Sequence, residues 1–319
     1  MDFINKLSDY LNVAPEDLLS YIEGASVKYK VFRIPKRTHG FRIIAQPSKE
    51  IKVYQRAFLK CYPLPVHPAA KGYVKGSNIK ANSLPHKDNK YLLKLDLQNF
   101  FLRLTPDIFW RLCDKYPSEL SYTTSLERDL INQLLFWSPS RRPNKKLVLS
   151  IGAPSSPSIS NFCMLSFDEN VDRYCQTHSI TYSRYADDLS FSSNDGNQLM
   201  LLIPFIQNVL NTEFFGKQSL NPQKMAFLSK AQNRHITGLT LTPNGSISIG
   251  RRKKRLVKHF IHQFTLSKLT NDDTLKLRGW LAFIKDVEPE FLLSLSSKYS
   301  YQTIFKIWTY NDARNKQDR

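Results

Sequence analysis

Residues 179–193 read SITYSRYADDLSFSS, a run suited to β-structure that is broken near its centre by two adjacent carboxylates, Asp187 and Asp188. Neighbouring side chains on a regular strand point to opposite faces, so the pair can share a site only where the chain turns. YADD between two β-like runs supplies such a turn. Two carboxylates held close repel each other unless a cation or a shifted proton offsets their charge. A polar hairpin tip with aspartate as turn former is the plainer alternative. The run calls for a β-hairpin and raises the question of a cation at its tip.

A second acid sits in KYLLKLDLQNFF, where Leu93 and Leu95 face one way on a strand and Lys94 and Asp96 the other. Alone, that pattern describes an ordinary half-exposed strand. Asp96 together with Asp187 and Asp188 makes three carboxylates with no histidine or thiolate nearby, a hard oxygen set suited to Mg²⁺ or Mn²⁺. Two such ions serve phosphoryl transfer by activating a hydroxyl and stabilising an in-line transition state. Lysine and arginine outnumber aspartate and glutamate by 46 to 27, and the resulting charge of +19 favours a polyanionic partner, here a nucleic acid.

With 319 residues, 41% of them hydrophobic, the chain can build a sizeable core. Cys61, Cys113, Cys163 and Cys175 are scattered without zinc-ligand spacing and read as free thiols of a reducing compartment. The N-terminus is acidic and lacks the apolar core of a signal peptide, and no stretch reaches the ~20 apolar residues of a membrane span. A soluble, cytoplasmic protein without a membrane partner is expected.

Periodicity predicts helices over residues 1–26, with Leu7, Tyr10 and Leu11 on one stripe, and a basic hairpin over 28–48 turning at RTHG. In that hairpin Val31 and Ile34 are expected to pack while Lys30, Arg33, Lys36 and Arg42 stay hydrated. A helix from residue 49 ends in the Pro/Gly-punctuated loop PLPVHPAAKGYVKGSN. One helix is expected through ISNFCMLSFDENVDRY, capped by Ser156 with Pro157 at its first position. A further helix near 197–213 and short strands in KMAFLS and HITGLTLTPNGSISIG lead to a purely helical tail from Arg251. There, Leu256, Val257, Phe260 and Ile261 are expected to pack inward.

LKLDLQNFF, GAPSSPSISN and YADDLSFS, in this order, resemble the palm motifs of reverse transcriptases, most closely the bacterial retron enzymes. NSLPH, ITG and LRGWLAFI resemble further elements of that branch, and the likeness runs from about residue 28 to 285. The resemblance implies an α+β right-hand polymerase architecture with fingers, a palm of antiparallel sheet plus helices, and a helical thumb. Its expected division is an N-terminal helical segment 1–26, fingers 27–90, palm 91–250 with finger elements interleaved near 105–150, and thumb 251–319.

The resemblance also assigns roles. Asp96 and Asp187 would ligate two Mg²⁺ ions, with Mn²⁺ as an alternative, helped by the carbonyl of Leu97 and supported by Asp188. Phe101 takes the place of the aromatic gate against a ribonucleotide 2′-OH, with Phe100 in the core. Lys36 and Arg42 match residues that hold the incoming triphosphate. Gly152 and Ala153 would let backbone approach the nucleotide closely, and Ile151 stands where the family usually has glutamine. Lys224 matches a lysine that protonates departing pyrophosphate. Asn82, His86, Thr237 and Gly238, with Arg251, Arg252, Lys253, Lys254 and Arg255, are the expected RNA-binding residues.

The implied activity is RNA-directed DNA synthesis from dNTPs. The expected template is part of a cognate noncoding RNA, copied from an RNA 2′-OH into single-stranded DNA. A separate effector protein and a role in defence against phage are also implied. No ribonuclease H domain is expected after the thumb. Two other readings are a group II intron-like or other bacterial reverse transcriptase, against which the expected lack of a long C-terminal maturase or endonuclease extension counts, and a catalytically silent RNA-binding scaffold, which a broken carboxylate set would mark, whereas all three carboxylates are present.

Overall fold

A computed structural model describes residues 2–36, 40–142 and 146–311, so most of the expected RTHG turn lies outside the described residues. The chain opens with α1 (Asp2–Leu11), α2 (Pro15–Ile22), β1 (Tyr29–Pro35), β2 (Phe41–Pro47), α3 (Lys49–Cys61) and α4 (Ile79–Ser83). Next come β3 (Tyr91–Asp96), α5 (Phe100–Arg103), α6 (Pro106–Lys115), α7 (Ser125–Leu135), α8 (Ser156–Cys163) and α9 (Leu165–Thr177). The hairpin β4 (Thr181–Tyr185) and β5 (Asp188–Ser193) precedes α10 (Gly196–Glu213), β6 (Ala226–Ser229), β7 (Arg234–Ile236), β8 (Leu239–Leu241) and β9 (Ile247–Ser248). The tail is α11 (Arg251–Thr265), α12 (Asn271–Val287), α13 (Pro289–Tyr299) and α14 (Tyr301–Trp308).

The chain forms two compact units, one of residues 1–78 and 92–227, the other of 79–91 and 228–319. The core of the first unit lies around a four-stranded sheet of order β4-β5-β3-β6. Leu92, Leu93, Leu95, Leu189 and Phe191 are buried from the strands, and Phe109, Phe162, Phe167 and Phe214 from the helices around them. At α7, the Thr124 hydroxyl accepts the Glu127 N–H while Glu127 accepts the Thr124 N–H, a reciprocal cap. The other Glu127 oxygen takes the Phe3 N–H at 3.1 Å, which ties α1 to α7. Phe3, Ile4 and Leu7 are buried, but Tyr10 is exposed, so the expected stripe on α1 is narrower than read.

The β1–β2 ribbon pairs antiparallel through seven residues, from Tyr29↔Pro47 to Pro35↔Phe41. At its base Tyr29 and Val31 pack on Ala45, Trp137 and Val148. Ile34 is 45% exposed. It cannot share the packed face with Val31, because residues three apart on a strand point to opposite sides.

The single helix expected through ISNFCMLSFDENVDRY is interrupted. The residues after the GAPSSP turn form α8 and α9 with a break at Met164, and the N-cap is Ser155 rather than Ser156, its side chain making no capping bond. In the tail, Ser300 takes a left-handed φ of +72° and its hydroxyl accepts the Thr303 N–H at 3.2 Å, which ends α13 and starts α14. All four cysteines are free, and three of them are buried.

In the second unit, β7, β8 and β9 form an antiparallel meander, and α11 to α14 pack around Val257, Ile261, Leu277, Leu281, Ile284 and Leu295. Leu256 is exposed, one residue out of phase with the buried Val257–Ile261 stripe. No helix among the described residues is long and apolar enough to cross a membrane.

Candidate active site

Asp96 ends β3, and the sheet order lays β3 directly beside β5, which Asp188 begins. The Leu97 N–H donates to the Asp187 carbonyl at 3.0 Å, and the Asn221 N–H donates to the Asp96 carbonyl at 2.8 Å. These bonds bring the backbones of all three acids to one end of the sheet. Tyr185 pairs with Asp188, leaving Ala186 and Asp187 as a two-residue turn. Ala186 takes φ +58°, a left-handed value that glycine adopts more readily.

Asp96 is 4% exposed, and both its carboxylate oxygens have partners. Asn221 Nδ2 donates to Oδ1 at 3.3 Å, and Lys224 Nζ donates to Oδ2 at 2.6 Å. Burial, then the charges of Asp188 and Asp96, push the Asp187 carboxyl up to about 6. Asp188, exposed by area, is also raised, first by partial loss of hydration and then by Asp96. Burial works against charge on Lys224, but the hydrogen bond and charge of Asp96 outweigh it and raise its pKa.

Asp187 and Asp188 are raised first by burial and then by neighbouring carboxylates, so a bound cation would offset charge there, and the hard oxygens of the set fit divalent cations of the Mg²⁺ type. Among the described residues, no three histidine, cysteine, aspartate or glutamate side chains stand grouped as a metal site in this structure. The Lys224 ammonium lies on one of the oxygens that an ion would use.

Phe100 is buried and Phe101 only partly so, with the rings 5.2 Å apart. A residue the sequence reading passed over, Tyr73, brings its ring to 6.3 Å from Phe101 and takes φ +63°. Burial first and Asp187 next hold its phenol above the ordinary range, with Arg42 pulling the other way, so Tyr73 lies within reach of both charges. A bulky side chain at positive φ is a strained position, and such strain gathers at functional sites. The signal was its setting in KGYVKG between two glycines. Asn221 was also missed, although asparagine before proline marks a turn in which its side chain binds backbone; here its Oδ1 accepts the Gln223 N–H at 3.2 Å.

Arg42 and Lys36 are exposed on the ribbon, Arg42 opposite Ile34 and Lys36 just past β1. Gly152 has φ +127°, and a Cβ there would come 3.0 Å from the Ala45 carbonyl oxygen. The Ala45 N–H donates to the Ile151 carbonyl at 3.0 Å. The close approach that this glycine permits is thus to β2, whereas Ala153 is buried. Ser155 and Ser156, next in the turn, bury hydroxyls without a partner.

In the second unit, Asn82 and His86 are fully buried, so neither side chain is open to a ligand. Ser83 Oγ donates to the Ile236 carbonyl at 3.2 Å, and Thr237 Oγ1 to the Ile79 carbonyl at 3.4 Å, which joins NSLPH to ITG. Thr237 and Gly238, with φ of +45° and +85°, form the two-residue turn between β7 and β8, and Gly238 is exposed. Burial lowers the His86 pKa to about 3.

The basic run at the start of α11 divides. Arg251, Arg252 and Arg255 are exposed with His259 on one face. Lys254 pairs with Glu288 and Lys253 lies 4.5 Å from the Phe283 ring centroid. The arginines are the cations turned to solvent.

This combination of sheet, turn and acids defines a class of nucleotide-polymerising enzymes, and the sequence profile of the reverse transcriptase (RNA-dependent DNA polymerase) family matches residues 34–241. The chain belongs to that family, with its right-hand α+β fold and its RNA-directed DNA polymerase activity. Within it, the chain stands among the bacterial retron enzymes. It is 43% identical to the Retron Ec83 reverse transcriptase of Escherichia coli over 89% of this chain and 91% of that one. It is 31% identical to the Retron Ec73 reverse transcriptase of the same organism, over 85% of this chain and 86% of that one. The Retron Ec86 reverse transcriptase, also from Escherichia coli, is 25% identical over 97% of this chain and 94% of that one.

Proposed function

We propose that this retron-type reverse transcriptase copies part of a cognate structured noncoding RNA into single-stranded DNA, starting from an RNA 2′-OH. The observation that carries the chemistry is the joining of Asp96 to the Asp187 turn, through the 3.0 Å bond from Leu97 N–H to the Asp187 carbonyl. Asp96, Asp187 and the Leu97 carbonyl would hold two Mg²⁺ ions, or Mn²⁺, with Asp188 in support. Such ions would lower the pKa of the attacking hydroxyl and offset charge on the α-phosphate of a dNTP.

The remaining roles fall to the chain's own side chains. Lys36 and Arg42 bind the triphosphate, and Gly152 and Ala153 carry the turn beside the nascent pair. Phe101, braced by Tyr73, closes the space that a 2′-OH needs. Lys224, kept protonated by its carboxylate neighbours, is placed to give a proton to departing pyrophosphate. Arg251, Arg252 and Arg255 follow the nucleic-acid backbone, with Lys253 and Lys254 behind them, and the Thr237–Gly238 turn supported by Asn82 and His86 contacts the cognate RNA. In this reading residues 27–90 act as fingers, 91–250 as palm and 251–319 as thumb, after an N-terminal segment of 1–26. An effector protein joins the complex for phage defence, a role that rests on the resemblance alone.

Purified protein with its RNA, dNTPs and Mg²⁺ is expected to extend the RNA into DNA that stays joined through a 2′ linkage. Asp187→Asn is expected to abolish extension and keep RNA binding; an active Asp187→Asn enzyme overturns the site. Phage plating with parent and Asp187→Asn strains tests the defence role, which equal plating in both refutes.

A further inference from the structure

The hairpin that carries Asp187 is held from below by a side chain that reads as an ordinary strand cation, Arg184. Its side chain is completely buried, as is that of Asp168 on α9. Arg184 Nε donates to Asp168 Oδ1 at 2.9 Å and Nη2 to Oδ2 at 2.6 Å, a two-pronged pair that satisfies the buried charges. The third nitrogen is directed elsewhere. Nη1 donates to Asn161 Oδ1 at 3.0 Å and to the Ala186 carbonyl at 3.1 Å.

Asn161 on α8 then donates through Nδ2 to the Gly72 carbonyl at 3.0 Å. The segment before Gly72 is laid along β4 as well. The Arg184 N–H donates to the Ala69 carbonyl at 2.8 Å, and the Lys71 N–H to the Arg184 carbonyl at 2.7 Å. Contact is so close that a Cβ on Gly72 would fall 2.7 Å from the Ala186 nitrogen. Tyr73, beside Phe101, is the next residue.

We propose that Arg184 and Asn161 are positioning residues for nucleotidyl transfer. They form a buried fork that fixes the left-handed Ala186 turn, and so Asp187, in register with the 69–73 loop that carries Tyr73. Ion pairing with Asp168 alone would need only two of the guanidinium nitrogens. The inference rests on Asp187 as a metal ligand. A ligand held through the carbonyl of the preceding residue shifts when the donor to that carbonyl, Arg184 Nη1, loses the Asn161 oxygen that aims it, and such supporting contacts change metal affinity or rate.

Asn161→Ala removes the bonds from Arg184 Nη1 to Asn161 and from Asn161 to the Gly72 carbonyl, and leaves the Arg184–Asp168 pair in place. Extension by the protein–RNA complex, normalised to its folded fraction, is expected to fall about 10- to 100-fold in kcat, with half-saturating Mg²⁺ raised. Tyr182→Phe is the comparison, since it removes the 2.7 Å bond from Tyr182 to Asp168 and leaves the groups that bond Arg184 Nη1 to Asn161 and the Ala186 carbonyl. It is expected to lower the melting temperature and leave kcat and half-saturating Mg²⁺ at parental values. Should Asn161→Ala fail to fold, Arg184→Lys carries the same test, because one ammonium keeps the charge for Asp168 and cannot span all three partners.

Parental kcat and Mg²⁺ dependence in the folded fork variant overturn the proposal, as does a loss that follows the folded fraction with Mg²⁺ dependence unmoved. An inactive Asp187→Asn enzyme beside a parental Asn161→Ala enzyme sinks the fork alone; an active Asp187→Asn enzyme sinks the metal site beneath it.

Discussion

Lys224 Nζ lies 2.6 Å from Asp96 Oδ2, so the acid that ends β3 already has a cation supplied by the chain. The Lys224 side chain is 60% exposed while its partner is buried, and so the pair holds the carboxylate without closing the site. A divalent ion bound as proposed would compete with Lys224 for the same oxygen. A pair this open to solvent is worth about 0.2–1 kcal/mol. Lys224→Ala is therefore expected to bind Mn²⁺ up to about fivefold more tightly, at 1.4 kcal/mol per tenfold, while extending DNA more slowly. Calorimetric titration of Mn²⁺ against parent and variant checks this, and equal affinities would refute the competition.

Asn221 is the second side chain on Asp96, at 3.3 Å from Oδ1, and it is fixed in turn by the Gln223 N–H. Asn221→Ala leaves all three acids in place and removes the group that orients one of them. Orienting partners of metal ligands are worth about 10- to 100-fold in affinity or rate. Single-nucleotide extension should slow by that factor with RNA binding and the melting temperature near parental values. A parental rate would show that the backbone bond alone orients Asp96.

The sequence made the strands of this site legible, but not their neighbours. Alternation located β3 and the β4–β5 hairpin, because strand periodicity is a local signal. The contact between Lys224 and Asp96 joins residues 128 apart in the chain, and only the sheet order brings them together. Arg184 escaped for a related reason. Basic residues on strands are usually hydrated, and its burial depends on Asp168 and Asn161 arriving from two helices. Other misreadings were local. Val31 and Ile34 were both expected to pack although strand geometry turns them to opposite faces, and α7 was overlooked although Thr124 and Glu127 write its cap in the sequence.

The five cations that open α11 separate into two groups with different expected behaviour. Arg251, Arg252 and Arg255 face solvent, whereas Lys254 is paired with Glu288. Arg255→Ala is expected to weaken RNA binding and to reduce the slope of log affinity against log salt by about 1. Lys254→Ala should chiefly lower the melting temperature, since it leaves Glu288 without its ion-pair partner. Filter binding over a salt series separates them, and an unchanged slope in Arg255→Ala would remove that arginine from the interface.

His86 is neutral and fully buried, with its pKa lowered from 6.5 to about 3 by burial. Its folded pKa lies below its unfolded one, so the unfolded chain takes up a proton that the folded chain refuses. Stability is then full above pH 6.5 and declines as pH falls toward about 3. Between pH 6.5 and 5, before most carboxylates titrate, the loss reaches roughly 1–2 kcal/mol at about 1.4 kcal/mol per pH unit. Urea titrations at pH 7 and pH 5 measure it for the parent. His86→Gln, which cannot take up the proton, should be less stable at pH 7 yet lose less between the two pH values. If parent and variant decline equally over that interval, the acid sensitivity lies in other groups and His86 is not buried as a neutral ring.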